Sequence, residues 1–119
     1  MKTKILNSIQ QWVPESQKWL QEIQKYDNNI ADCIILNKTA NLCVTKINSG
    51  ITEEIENARE IIKIINLLYQ GGNQYTRNII ENEFLTVLSE EEALIILKKY
   101  IHLFPSELKK GYIKTILEN

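Results

Sequence analysis

Apolar residues recur along this chain mainly three and four positions apart, the spacing that lines one face of an α-helix. No stretch alternates with a period of two, so no strand is expected. Ile5, Ile9 and Trp12 predict a short helix over 3–12. Val13-Pro14 ends it, because a residue before proline is held out of the helical region. Pro14 then suits the first turn of a second helix, which carries Trp19, Leu20 and Ile23 and runs to about Tyr26. Asp27, Asn28 and Asn29 supply a turn and a cap. A third helix over 30–48 follows, with Cys33, Leu36, Ala40, Cys43, Val44 and Ile47 in its apolar stripe and Ile34, Ile35 and Leu42 widening it. Gly50 suits the left-handed position that closes such a helix.

Residues 52–71 change the pattern, and the rest of the chain is expected to be organised around them. The first half is one-sided, with Ile55 and Ala58 opposite Glu53, Glu56 and Glu60. The second half is apolar almost all round, broken only by Lys63 and Asn66. A helix that is apolar all round needs cover on more than one side. Thr52 is the expected cap, with Glu53 and Glu54 at the positive helix end, and Gly71-Gly72 the stop.

Asn73 caps an expected fifth helix over 74–88, with Ile79, Ile80, Phe84, Val87 and Leu88 facing inward. Ser89 followed by Glu92 reads as a capping box that opens a sixth helix through Leu94, Leu97, Ile101 and Phe104. Pro105 restarts a seventh, using Leu108, Tyr112, Ile113 and Ile116. Connections this short make successive helices antiparallel neighbours. The fold class read from the pattern is all-α, six to seven helices in antiparallel hairpins, as an irregular bundle or a HEAT-like stack. One domain over 1–119 is expected, with helices of 1–29 peripheral to a core of 30–117.

Composition adds compartment and partners. The 119 residues hold 14 basic and 15 acidic groups, a balance that argues against a strongly electrostatic partner covering the whole surface. The balance is local, however. Residues 61–92 set Lys63 and Arg77 against Glu81, Glu83, Glu90, Glu91 and Glu92, net −3. The end is basic through Lys98, Lys99, Lys109, Lys110 and Lys114, and both arginines, Arg59 and Arg77, lie outside it. Nucleic-acid surfaces draw on arginine, so this end reads as a solvated face and no nucleic-acid partner is expected. No apolar run approaches a membrane span and the N-terminus lacks a leader's apolar core, so a cytoplasmic protein without a membrane partner is expected. Cys33 and Cys43 lie about 15 Å apart along one helix, too far for a disulfide. Both are expected reduced and buried.

The chemistry on offer is narrow. His102 is the only histidine, and a histidine near a helix end more often meets the last carbonyls than a substrate. Gly71-Gly72 lacks the lysine and hydroxyl of a phosphate loop. Glu56 and Glu60 lie one turn apart, with Lys63 following, and read as a solvated pair. No metal, cofactor, catalytic residue or small-molecule ligand is expected. The enzyme alternative, a small catalyst or metal-binding protein, would have to use Glu56, Glu60 and His102. A general helical scaffold is the other alternative. Trp12 and Trp19 could anchor a protein partner, although Pro14 breaks their shared helix face and core packing is expected of at least one. Antiparallel packing is expected to bring Glu53, Glu56 and Glu60 together with Glu81, Glu83 and Glu90 to Glu92 at one end of a hairpin. The expected partner-binding residues are therefore Glu53, Glu56, Glu60, Trp12 and Trp19.

The segments GGNQYTRNIIENEFLTVLS at 71–89 and FPSELKKGYIKTIL at 104–117 resemble a family of small, uncharacterised bacterial all-helical proteins, over roughly residues 40–117. The resemblance implies a non-catalytic immunity or antitoxin-type protein that binds a bacterial toxin. It carries over no site residue.

Overall fold

The computed structural model describes residues 3–91 and 103–118, and all of its regular structure among them is helical. Helix α1 spans Lys4–Trp12 and begins because Thr3, in extended conformation, turns its hydroxyl to accept the Leu6 N–H at 3.1 Å. Val13 stops it in the extended conformation that Pro14 demands. The expected second helix is instead a 3₁₀ turn, Pro14–Trp19, followed by the four-residue α2, Leu20–Ile23. Ser16, fully buried, donates its hydroxyl to the Val13 carbonyl at 2.6 Å. That bond ties the turn back onto the end of α1.

Helix α3 spans Asn28–Asn48, and the Asp27 carboxylate caps it by accepting the Ile30 N–H at 3.1 Å. Gly50 has φ +73°, the left-handed conformation that glycine adopts without steric cost. Helix α4 spans Thr52–Gln70, but its cap position is Ile51 rather than Thr52. The Ser49 hydroxyl supplies the local order: it donates to the Lys46 carbonyl at 2.7 Å and accepts the Ile51 N–H at 3.1 Å.

Asn73 caps α5, Gln74–Ile79, by accepting the Thr76 N–H at 2.9 Å. The helix then widens into a π segment, Ile80–Leu85, before resuming as α6, Thr86–Glu91. At the seam the Glu81 carbonyl accepts both the Thr86 N–H and the Thr86 hydroxyl, the latter at 2.9 Å. The widening brings Ile80, Glu81, Phe84 and Leu85 all inside. The expected capping box at Ser89 does not start a helix, for α6 runs through it and its hydroxyl donates back to the Thr86 carbonyl at 2.8 Å. The expected sixth helix lies largely outside the described residues, as does His102.

Helix α7, Ser106–Glu118, buries Leu108, Gly111, Tyr112 and Thr115. Ile113, expected inside, is exposed. The Phe104 and Tyr112 rings meet edge to face, 4.7 Å between centroids. Asn66 interrupts the apolar half of α4 for a reason visible here. Its side-chain oxygen accepts the Leu108 N–H at 3.3 Å, so α4 supplies a cap to the start of α7.

Packing makes α3, not α4, the hub. α3 contacts α1, the 3₁₀ turn, α2, α4, the π segment and α6. α4 is covered by α3, α7, α1 and α5, which meets the demand of its apolar second half. In a solenoid each hairpin touches only its neighbours. Here α1 and α7 both pack on α4, so the all-α architecture is an irregular bundle. Its core joins Ile9, Ile35, Leu36, Ile62, Ile65, Ile80, Phe84, Leu85 and Leu108, each with no exposed surface. Among the described residues no helix is long and apolar enough to cross a membrane.

Candidate docking face

The outward side of α4 reads Glu53, Glu56, Glu60, Lys63, Leu67 and Gln70, at steps of three and four, and all six are exposed. The stripe from Glu53 to Leu67 spans fourteen residue steps, about 21 Å of helix rise. Its first half is acidic. Glu56 lies 3.7 Å from the Arg59 guanidinium and Glu60 3.2 Å from the Lys63 ammonium, each three residues on in the same helix. Exposed pairs of this kind are worth about 0–1 kcal/mol, so either carboxylate can turn to an incoming cation at small cost. Glu54, next to Glu53, faces another way. Its carboxylate holds Lys46 at 3.0 Å, and Glu15 holds the same ammonium at 2.9 Å. That clip joins the 3₁₀ turn, α3 and the start of α4. Burial works to depress the Lys46 pKa, but the two carboxylates outweigh it and raise it. The Lys46 hydrogen bond in turn holds the Glu15 carboxyl below its ordinary range.

In the second half of the stripe Leu67 is the apolar member, between Lys63 and Gln70. Leu67 is 64% exposed and Trp12 60% exposed. With Lys4, Ser8, Ile64 and Leu68 they line a shallow groove of about 140 Å³ between α1 and α4. The buried face of α1 is Ile5, Leu6 and Ile9. Inclusion of Leu6 rotates that face away from Trp12, which therefore falls on the rim. Trp19, by contrast, is half-buried and packs against the core.

The structure thus joins Trp12 to one end of the acidic stripe and leaves Trp19 inside. Of the wider acidic cluster expected at one hairpin end, Glu92 and the Glu91 side chain lie outside the described residues, and Glu81 and Glu83 do not join the stripe. Glu81 is buried against Tyr69 of the apolar half of α4, and Glu83 lines a recess beside Cys33 near the start of α3. The sequence led to the expectation of cover on more than one side of the apolar half of α4, yet Leu67 there is exposed and Ile64 half-buried. The signal was there, since Leu67 continues the three-and-four spacing of the glutamates.

Other expected features resolve as follows. Lys110 pairs with Glu107 at 3.5 Å and Lys114 with Glu81 at 3.2 Å, while Lys98 and Lys99 lie outside the described residues. Both cysteines are free. Cys43 is fully buried and its thiol is pushed up to about 12 by that burial. Cys33, expected buried, is only half-buried; desolvation, then Glu83 and Asp32, raise its pKa. Among the described residues no three His, Cys, Asp or Glu side chains gather to hold a metal ion.

A family described as a domain of unknown function, DUF7674, matches residues 6–118. This reaches well beyond the resemblance read from residues 40–117 and takes in most of α1. No curated protein and no solved structure matches the chain.

Proposed function

The chain belongs to the DUF7674 family, whose function is unknown, and from its own surface we propose that it is a non-catalytic protein-binding domain. The reading is of an immunity or antitoxin-type inhibitor that holds a basic bacterial toxin in the cytoplasm. One observation carries it: a single helix face that is acidic at one end and exposes Leu67 beside Trp12 at the other. An exposed tryptophan in an apolar groove is the kind of group that anchors an interface. An acidic approach speeds the arrival of a basic partner. A nuclease toxin fits that approach, because a protein that grips an anionic substrate presents a basic face. Two unpaired cysteines suit a reducing compartment.

The test uses the tagged chain to retrieve a partner, followed by binding kinetics with the purified partner. Trp12→Ala should weaken binding by about 2 kcal/mol, roughly thirtyfold. Reversing Glu53, Glu56 and Glu60 to lysine should slow association at low salt and flatten its salt dependence, with helicity intact. Adding the chain in equal amount should also block the partner's toxic activity. A partner that binds both variants as it binds the parent would remove this face from the account. A partner whose activity is untouched would leave a binding domain without an inhibitory role.

A further inference from the structure

We propose that this chain associates weakly with a second copy of itself, the outer face of α7 on one copy lying along the α4 stripe of the other. That face of α7 carries Lys110, Ile113 and Leu117 at steps of three and four, and all three are exposed. Leu117 is 80% exposed and Ile113 41%. It is thus basic at one end and apolar at the other, where the α4 stripe is acidic at one end and opens onto Leu67 and Trp12 at the other.

Spacing sets the register. Glu60 precedes Leu67 by seven residues, and Lys110 precedes Leu117 by seven, about 10 Å of rise in either helix. Laid parallel, the two helices set Lys110 against Glu60 and Leu117 against Leu67 at once. Ile113 then lies level with Lys63, whose methylene stem can cover it. Laid antiparallel, the same faces would press Leu117 on Glu60 and Lys110 on Leu67, desolvating each charge without a partner. Both charges are free to exchange. Glu60 pairs with Lys63 at 3.2 Å and Lys110 with Glu107 at 3.5 Å, exposed contacts within one helix that are given up at small cost. A net charge of −1 leaves little repulsion between whole copies. The two faces differ, so the contact is head to tail and leaves one face of each kind for a further copy. One helix on one helix is a small contact, which makes it weak. The inference shares the α4 stripe with the docking reading, so a partner bound there would compete with the second copy, but it does not depend on what that partner is.

The test is sedimentation equilibrium of the full chain at low salt. Average mass should rise with concentration, with a Kd on the order of 0.1 mM, and the rise should shrink at high salt. Glu60→Lys alone and Lys110→Glu alone should each weaken association at least about tenfold, because each sets like charge on like. Mixed in equal amounts, the two variants should associate within about threefold of the parent, since the two reversed groups then face each other and the two unaltered groups pair at the other contact. Leu117→Ser should also weaken association. All three positions are exposed, and an unchanged helical spectrum checks the fold of each variant. A constant mass up to about 1 mM, or a mixture no stronger than its components, would overturn the inference. So would capture of the parent by phosphatidylserine vesicles with no rise in mass, which would give the α7 face to a lipid surface instead. Lys110→Glu leaves α4 untouched, so partner binding by that variant tests the docking reading separately.

Discussion

Asp32 and Glu81 are both buried carboxylates, and the molecule holds them in opposite ways. Glu81 has a cation: Lys114 reaches one oxygen at 3.2 Å while the Tyr69 hydroxyl donates to the other at 2.6 Å. Asp32 has no exposed surface, and among the described residues its donors are neutral. The Thr3 hydroxyl donates to one oxygen and the Tyr75 hydroxyl, at 3.4 Å, to the other. Glu81 fastens α7 to the π segment and α4. Asp32 gathers the caps and starts of α1, α3 and α5. A cation lets a buried carboxylate remain an anion, whereas neutral donors only soften its desolvation. Burial accordingly raises the Asp32 pKa, although Thr3 and then Tyr75 pull it down. The Tyr69 phenol shows the converse, pushed up to about 12 by burial and by its bond to Glu81.

The contrast breaks most visibly at the paired carboxylate. Glu81→Ala should leave the Tyr69 hydroxyl buried without its acceptor, costing about 2–3 kcal/mol in urea unfolding. An unchanged midpoint would show that this pairing behaves as a surface one. Gly111→Ala should cost somewhat less, about 2 kcal/mol. A methyl there would lie 2.6 Å from the Tyr69 oxygen and 2.9 Å from Cζ, forcing the ring off Glu81. Tyr69→Phe removes the nearest obstacle, so the double variant should be less destabilised than the sum, by at least about 0.5 kcal/mol. Strict additivity would mean that the ring is not what excludes the methyl.

The smallest effect belongs to Asp32, and its sign is the opposite. A carboxyl whose pKa is raised on folding contributes stability below its unfolded value, near 3.8, and loses that contribution as pH rises through the folded value. Asp32→Asn keeps the shape without the charge. It should therefore raise the unfolding temperature at neutral pH, with the gain shrinking as pH falls toward 4. A gain that grows on acidification would assign Asp32 a cationic partner and erase the distinction from Glu81.

Local signals survived translation into structure far better than distant ones. The cap at Asn73 and the left-handed Gly50 are decided within a few residues and stand where the sequence put them, while the cap of α3 falls on Asp27, the first of the three residues expected to supply it. Thr52 is the first helical residue instead of the cap, and no side chain caps α4; the Ser49 hydroxyl orders the turn before it. Ser89 carries a cap pattern that a continuing helix overrides. The partners of Asp32 and Glu81 come from 29 to 43 and from 12 to 33 residues away, beyond any periodicity. The docking face was legible as charge but not as apolar surface, since nothing in a leucine reveals whether a neighbour covers it.

The widened turn at Ile80–Leu85 also limits how this chain can change in length. Each residue of an α-helix turns the chain by about 100°. Deleting one residue within that segment would restore ordinary winding and leave the faces after it in place, because the widened turn holds one residue more than an ordinary one. Leu88, without exposed surface, would stay inside, whereas the same deletion in the ordinary turns of α5 would swing it by about 100° out of the interior. A single lost codon is thus absorbed here, and acts at a distance only where the winding is already ordinary.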